Sequence, residues 1–267
     1  MTTLSKTVKL LRTLLLLVTV LSGSLVIFLI APGCARVAES KAEKAVNDLL
    51  PSFLGPADKY ATRIRGDSAG AVLRGRLQSV HIEGDNVRFE DGLVIDRLTM
   101  DFDSVSVDTR ARKLTSIGAA RFTARIGVAN LNRYVTANRP TLAGLIIALG
   151  PGTASVEARP EVLANFGISG VKVPITVDGR LAPTPDGTQL DFVPGTARLS
   201  VLPIPRPLID YLARALNPAV DLSTLPIPVR IHGVEIKPDG VYLQGTASSE
   251  GLLRAAETRT VAPATRP

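Results

Sequence analysis

The chain has 267 residues, of which 45% are hydrophobic, 4% aromatic and 21% charged, and its formal net charge is +7. One cysteine and two histidines exclude a disulfide framework, a cysteine-based zinc cluster and a histidine-rich metal site. Without Trp and with few Phe and Tyr residues, the chain also lacks a stacking platform for nucleic acids. We therefore expect no metal, no cofactor and no nucleic-acid partner.

Residues 1–33 have the pattern of an export or anchor segment. Thr13 to Ala31 is an uncharged apolar stretch, and Lys6, Lys9 and Arg12 precede it. Its length is close to the roughly 20 residues that span a bilayer, and the basic flank orients the N-terminus to the cytoplasm. We expect the remaining chain to lie in the cell envelope, on the extracytoplasmic side of the plasma membrane.

Cys34 adds a second possible mode of attachment. It follows Ala31-Pro32-Gly33, which is similar to a bacterial lipobox, although Leu is usual where Ala31 stands. Three interpretations remain open: an uncleaved membrane anchor, a lipoprotein acylated at Cys34, and a protein released after cleavage. Two acyl chains on Cys34 would hold the chain firmly, at about 0.8 kcal/mol for each buried CH₂ group.

An amphipathic helix is predicted from Ala35 to Phe53, because apolar residues recur there at a spacing of three to four. Its polar side carries Glu39, Lys41, Glu43, Lys44 and Asp48. Two shorter helices are predicted at 130–137 and 207–216, with Asn130 as the N-cap of the first.

From residue 60 onwards the dominant period is two, which predicts at least ten short antiparallel strands. No strand–helix–strand alternation is present, so the fold class is α+β with mostly antiparallel sheet. Residues 35–249 form the domain, and the aperiodic residues 250–267 are expected to be a disordered tail. The predicted inward positions are Leu98, Met100, Phe102, Phe122, Ile126, Val171, Val173, Ile175, Leu199 and Val201.

Candidate polar sites are few. Asp101 and Asp103 share one strand face and could form half of a metal site, although a solvated face needs the same residues. His81 has no catalytic partner at a recognisable spacing, so we expect no enzymatic activity. Four arginines (Arg63, Arg65, Arg74 and Arg76) form either a solvated surface or a basic rim for phosphate head groups.

Several motifs in a fixed order resemble the LmeA-type family of bacterial cell-envelope proteins. They include the helix from residue 35, the strands around Val80-His81-Ile82 and 98–108, and Asn130-Leu131-Asn132-Arg133-Tyr134. The C-terminal stretch from Leu225-Pro226-Ile227-Pro228 through Gly245-Thr246-Ala247 is the most similar. An acidic residue is frequent in the family where Asn130 stands.

This resemblance implies phospholipid binding. It also implies a tubular lipid-binding architecture, in which a curled antiparallel sheet wraps the N-terminal helix around an apolar tunnel. The inward aliphatic positions would then line the acyl chains, and the four arginines would meet the head group. Transfer of the lipid and a role in making envelope glycolipids are compatible roles.

Two other classes of function remain open. A scaffold domain could bind a protein partner of unknown identity through exposed sheet edges. An enzyme acting on glycolipids would depend on Asp101, Asp103 or His81. A continuous apolar cavity of several hundred Å³ would favour lipid binding, whereas a packed interior would favour the scaffold.

Overall fold

The structure is a computed structural model that describes residues 34–108, 113–142, 144–160, 174–199, 202–203, 206–225 and 227–253. Its helices are α1 (Cys34–Phe53), α2 (Ala69–Leu73), α3 (Val128–Asn138) and α4 (Arg206–Leu216), with a 3₁₀ turn at Pro140–Leu142. The strands are β1 (Lys59–Arg65), β2 (Arg76–Arg88), β3 (Val94–Asp108), β4 (Lys113–Ser116), β5 (Ala120–Gly127), β6 (Ile146–Gly150), β7 (Thr153–Ala158), β8 (Ile175–Pro183), β9 (Gln189–Leu199), β10 (Leu202–Pro203), β11 (Val220–Asp221), β12 (Val229–Lys237) and β13 (Gly240–Ala247). The predicted α+β class with mostly antiparallel, curled sheets is confirmed.

The first sheet has the strand order β1-β2-β3-β5-β13-β12, with β4 paired to the outer end of β3. Alternation along each strand separates a buried apolar face from a polar face, as on β5, where Phe122, Ala124 and Ile126 are buried and Arg121 and Thr123 are exposed. The pairing of β5 with β13 brings together segments more than 100 residues apart.

The second sheet has the order β10-β9-β8-β7-β6, with β11 paired to β9. It joins the first sheet at β12, whose outer edge is hydrogen-bonded to two hairpin turns. Ile231 donates its N–H to the carbonyl of Gly187 (2.7 Å), and Gly152 donates to the carbonyl of Ile236 (3.0 Å). The buried side chains of both sheets form one continuous apolar core.

The predicted N-terminal helix agrees with α1 to within one residue. Its C-terminal residues pack Leu50 and the following Leu54 into the core. The chain then turns back, so that α1 lies along β1, the other edge strand of the first sheet.

The predicted N-cap of α3 is wrong. Gly127 takes the N-cap position, and the Asp96 carboxylate on β3 accepts its N–H at 2.7 Å. The Asn130 amide donates to the same carboxylate at 2.9 Å. The Asp96 side chain on the neighbouring strand therefore takes the place of a local capping side chain. The spacing of apolar residues along the helix does not reveal such a partner.

The ordered body extends past the predicted boundary at residue 249. Residues 249–253 are helical, Leu252 is buried, and the Ser249 hydroxyl donates to the carbonyl of Gly118 at 2.8 Å. The rest of the predicted tail and the apolar segment 13–31 lie outside the described residues. Among the helices that are described, none combines the length and apolar content that crossing a bilayer requires.

Candidate lipid-binding site

The described inward positions lie where the sequence predicts them. Leu98, Met100, Phe122 and Ile126 face the core from β3 and β5 and are at most 5% exposed. Ile175 faces the same core from the second sheet, and Phe102 is partly buried at its margin. Val171, Val173, Val201 and the side chain of Leu199 lie outside the described residues.

No water-sized void lies beside the most deeply buried of the described side chains in this interior. A water-sized void beside them would leave part of their surface accessible, whereas Ile126, Leu243 and Val87 are at most 1% exposed. Two of the cavities in the described part of the chain lie elsewhere. One, of about 1000 Å³, lies on the polar face of the first sheet, and the other, of about 530 Å³, lies between β9 and α4.

The seam between α1 and β1 is held by two glutamates. Ile64 donates its backbone N–H to Glu43 Oε1 at 2.9 Å, and Gly66 donates to Glu39 Oε1 at 3.3 Å. Four residues of helix rise by about 6 Å and two residues of strand by about 6.6 Å, so the two spacings match. The predicted polar side of α1 therefore includes two acceptors for the free edge of β1.

The next pair of facing residues along this seam, Asn47 on α1 and Thr62 on β1, has unpaired side-chain oxygens. Asn47 follows Glu43 by one helical turn, and Thr62 precedes Ile64 by two strand residues. Asn47 Oδ1 and Thr62 Oγ1 are both buried without a hydrogen-bond partner. An unpaired buried oxygen costs about 1–3 kcal/mol, so this is a weak point in the cover of the core.

The four predicted rim arginines lie around the β1–α2–β2 corner, and all are exposed. Arg63 lies 3.7 Å from Glu83 across the strands. Arg65, Arg74 and Arg76 have no carboxylate partner among the described residues. Arg63 therefore differs from the other three arginines, because it alone of the four has a carboxylate partner among the described residues.

The polar face of the first sheet is a lattice of charges. One row of residues crosses this face, and each member lies opposite the next on the neighbouring strand: Lys59, Asp85, Arg97, Arg125, Tyr242 and Glu235. The cavity of about 1000 Å³ crosses these strands, and its charged lining is Asp58, Asp85, Asp96, Glu235, Lys59, Arg97, Arg125 and Lys237. Equal numbers of acids and bases give this cavity no net charge with which to select an ion.

The candidate catalytic groups are tied into this lattice. His81 Nδ1 lies 2.6 Å from Asp101 Oδ1, and His81 Nε2 lies 3.0 Å from Glu83 Oε1. The bonds to Asp101 and then Glu83 raise the pKa of His81, and the bond to His81 lowers the pKa of Glu83. Asp103 instead accepts from Arg121 at 2.9 Å. Within the described ranges, no three His, Cys, Asp or Glu side chains are placed to hold a metal ion.

The family motif in α3 has a structural role. The Asn132 amide donates to the carbonyl of Ile147 (2.8 Å) and accepts its N–H (2.7 Å), so it pairs with edge strand β6 as a further strand would. The Tyr134 hydroxyl accepts the N–H of Asp221 at 3.4 Å. The motif is recognisable in the sequence, whereas the two strands that it joins are not.

A sequence model of a family described as LmeA-like phospholipid-binding matches residues 33–246. Searches of curated proteins and of solved structures found no similar chain. The family match covers the two sheets, α1 and the motif in α3, and it confirms the resemblance seen in the sequence. The chain therefore belongs to the LmeA-like phospholipid-binding family.

Proposed function

We propose that the protein binds a phospholipid of the bacterial cell envelope and holds its acyl chains in the apolar interior between the two sheets. The observation that carries this proposal is the continuous aliphatic core of both sheets, in a chain that belongs to a phospholipid-binding family. Each CH₂ group moved from water into this interior contributes about 0.8 kcal/mol. The architecture would then be tubular, with α1 closing its side.

A packed interior by itself favours the scaffold, whereas the family match favours lipid binding. For lipid to enter, the interior packed around the described side chains has to open. The β12 edge is sealed by backbone hydrogen bonds from two turns, whereas the β1 edge is sealed by the side chains of Glu39 and Glu43. The β1 seam also contains the unpaired oxygens of Asn47 and Thr62. Separation of α1 from β1 is therefore the proposed route of entry.

The proposed setting is the extracytoplasmic face of the plasma membrane, with the chain attached through residues 13–31 or through acylated Cys34. Lipid transfer or a supply of lipid to envelope glycolipid synthesis would follow from binding and release. Strand addition by a protein partner is less favoured at β1 and β12, because both edges already accept or donate hydrogen bonds.

The test is phospholipid exchange by the full chain. Lipid that co-purifies is identified by mass spectrometry, and transfer of a self-quenched fluorescent phospholipid between vesicles is followed by dequenching. We expect bound phospholipid and transfer above a protein-free control. Neither bound lipid nor transfer would contradict the proposal.

A matched pair of variants on β5 separates the interior from the surface. Ala124→Leu adds volume to the buried face, and Thr123→Leu adds it to the polar face of the same strand. Ala124→Leu should reduce bound lipid while Thr123→Leu leaves it unchanged. Circular dichroism checks that both variants fold, since overpacking costs about 1–3 kcal/mol. Equal lipid content in two folded variants would place the lipid outside this interior.

A further inference from the structure

One end of the domain gathers four exposed arginines that come from four different elements. Arg36 lies in the first turn of α1, Arg65 ends β1, Arg74 is the C-cap of α2 and Arg76 begins β2. We call these four residues the arginine corner.

Contacts at residue 66 bring this corner together. Gly66 donates its N–H to Glu39, which lies one turn after Arg36 on α1. A β-carbon on Gly66 would lie 3.6 Å from the carbonyl oxygen of Arg76, so the end of β1 adjoins the start of β2. The first turn of α1, the end of β1 and the start of β2 therefore share one surface.

The arginine corner differs from three other arginines of the same sheet in its pairing. Arg97, Arg121 and Arg125 each lie within 4 Å of a carboxylate. The four residues of the corner have no carboxylate partner in the part of the chain that the structure describes. Glu39, Asp67 and Asp108 are the acidic residues near this end, and the four arginines outnumber them by one. The corner therefore presents uncompensated positive charge.

The position of the corner along the chain indicates its partner. The apolar stretch ends at Ala31, and the five residues from there to Arg36 span at most about 18 Å. Val37, beside Arg36, is 57% exposed, although it is apolar. A membrane-attached Thr13–Ala31 segment would thus hold the corner within about two Debye lengths of the lipid surface.

We propose that the arginine corner docks the domain onto an anionic phospholipid surface and so turns the start of the α1–β1 seam toward the bilayer. Guanidinium groups suit this contact because each can donate two hydrogen bonds to one phosphate. The proposal deepens the proposed function, on whose membrane setting it rests. It adds which face of the domain meets the membrane and which lipid charge that face requires.

The experiment uses the full chain reconstituted in vesicles of phosphatidylcholine with or without phosphatidylglycerol. In a Cys34→Ser background, a fluorophore is attached through Gln78→Cys, near the corner, or through Glu90→Cys, in the hairpin at the far end of β2. Lipids that carry a quencher then report proximity to the bilayer. We expect quenching at position 78 on anionic vesicles only, little quenching at position 90, and a loss of quenching as salt rises.

A charge-matched pair of triple variants tests the residues. Arg65→Gln, Arg74→Gln and Arg76→Gln together should lower the ratio of docked to undocked domain by about 100-fold, at about fivefold per arginine. Arg133→Gln, Arg180→Gln and Arg230→Gln remove the same charge from exposed positions elsewhere and should leave quenching unchanged. Equal quenching on neutral and anionic vesicles, or equal effects of the two triples, would overturn the proposal.

The two proposals fail separately. Docking without any co-purified or transferred phospholipid would refute the proposed function and leave the docking surface standing. Phospholipid exchange that persists in the corner triple, with no lipid-dependent quenching at position 78 in the parent protein, would refute docking alone. Thermal unfolding of both triples confirms that they remain folded.

Discussion

The glutamates of the α1–β1 seam offer the most direct test of how the apolar core is covered. Glu39→Ala with Glu43→Ala removes both acceptors from the edge of β1 and leaves the N–H of buried Ile64 unpaired. Hydrogen bonds to charged groups contribute about 1.5–3 kcal/mol. We take the lower part of that range for the 2.9 Å bond and about 0.5–1 kcal/mol for the 3.3 Å bond, because both carboxylates are partly exposed.

The double variant should therefore lose about 2–3 kcal/mol of stability, less a few tenths for the higher helix propensity of alanine. For a domain of this size the midpoint of thermal unfolding should fall by roughly 4–10 °C. Circular dichroism of the full chain measures this change. Hydrogen exchange with mass spectrometry should show faster exchange at residues 62–66.

Two control variants test whether the loss of stability comes from the missing acceptors. Glu39→Gln with Glu43→Gln keeps both oxygen acceptors and should lose about half as much stability. Lys44→Ala changes an exposed residue on the same helix and should have little effect. If the alanine pair leaves both the unfolding midpoint and the exchange at residues 62–66 unchanged, the glutamates do not seal this edge. Faster lipid exchange in the alanine pair is expected if the seam is the entry route.

Thr62→Val replaces the unpaired buried hydroxyl with a methyl group of the same shape, so it should stabilise the protein by about 1 kcal/mol and slow lipid exchange. Thr123→Val on the polar face is the control. If Thr62→Val instead lowers the unfolding midpoint, Thr62 Oγ1 has a hydrogen-bond partner. His81→Gln should lower the unfolding midpoint most near pH 5–6. The pKa of His81 is raised in the folded state, so the ion pairs of His81 stabilise the fold fully below pH 6.5, and this stabilisation is lost as the pH rises through the folded-state pKa. A difference in unfolding midpoint between variant and wild type that is constant from pH 5 to 9 would exclude this ion-pair role. Gly245→Ala should cost about 3 kcal/mol, because a β-carbon there would lie 2.3 Å from Phe122 Cε1 and 2.4 Å from the carbonyl oxygen of Arg230. Exposed Thr246→Ala, its neighbour, should cost little in the same unfolding measurement.

The secondary structure was largely predictable because its periodicity is local. The spacing of three to four that predicts α1 and the alternation through Leu98 and Met100 both agree with the structure. The alternation changes phase at Ser104, a left-handed residue with φ of +53°. The pairing of β3 with β2 continues there without a shift.

The tertiary partners were not predictable, because spacing within one element does not reveal what lies opposite it. Glu39 and Glu43 have the sequence pattern of a solvated helix side, and only the position of β1 makes them acceptors for an edge strand. Asp101 and His81 are 20 residues apart and meet through the β2–β3 register. The arginine corner depends on how three chain segments converge, so nothing in the local spacing separates Arg63 from its neighbours.

The place of β5 between β3 and β13 has a consequence for how the protein forms. Arg125 on β5 and Asp239 at the last hairpin are 114 positions apart, yet they lie 3.2 Å from each other. One side of β5 stays unpaired until nearly the whole domain has been made, and pairings between such distant segments form slowly. During synthesis the growing chain thus carries an open, aliphatic strand edge. Truncation before residue 240 should expose that edge permanently and favour aggregation.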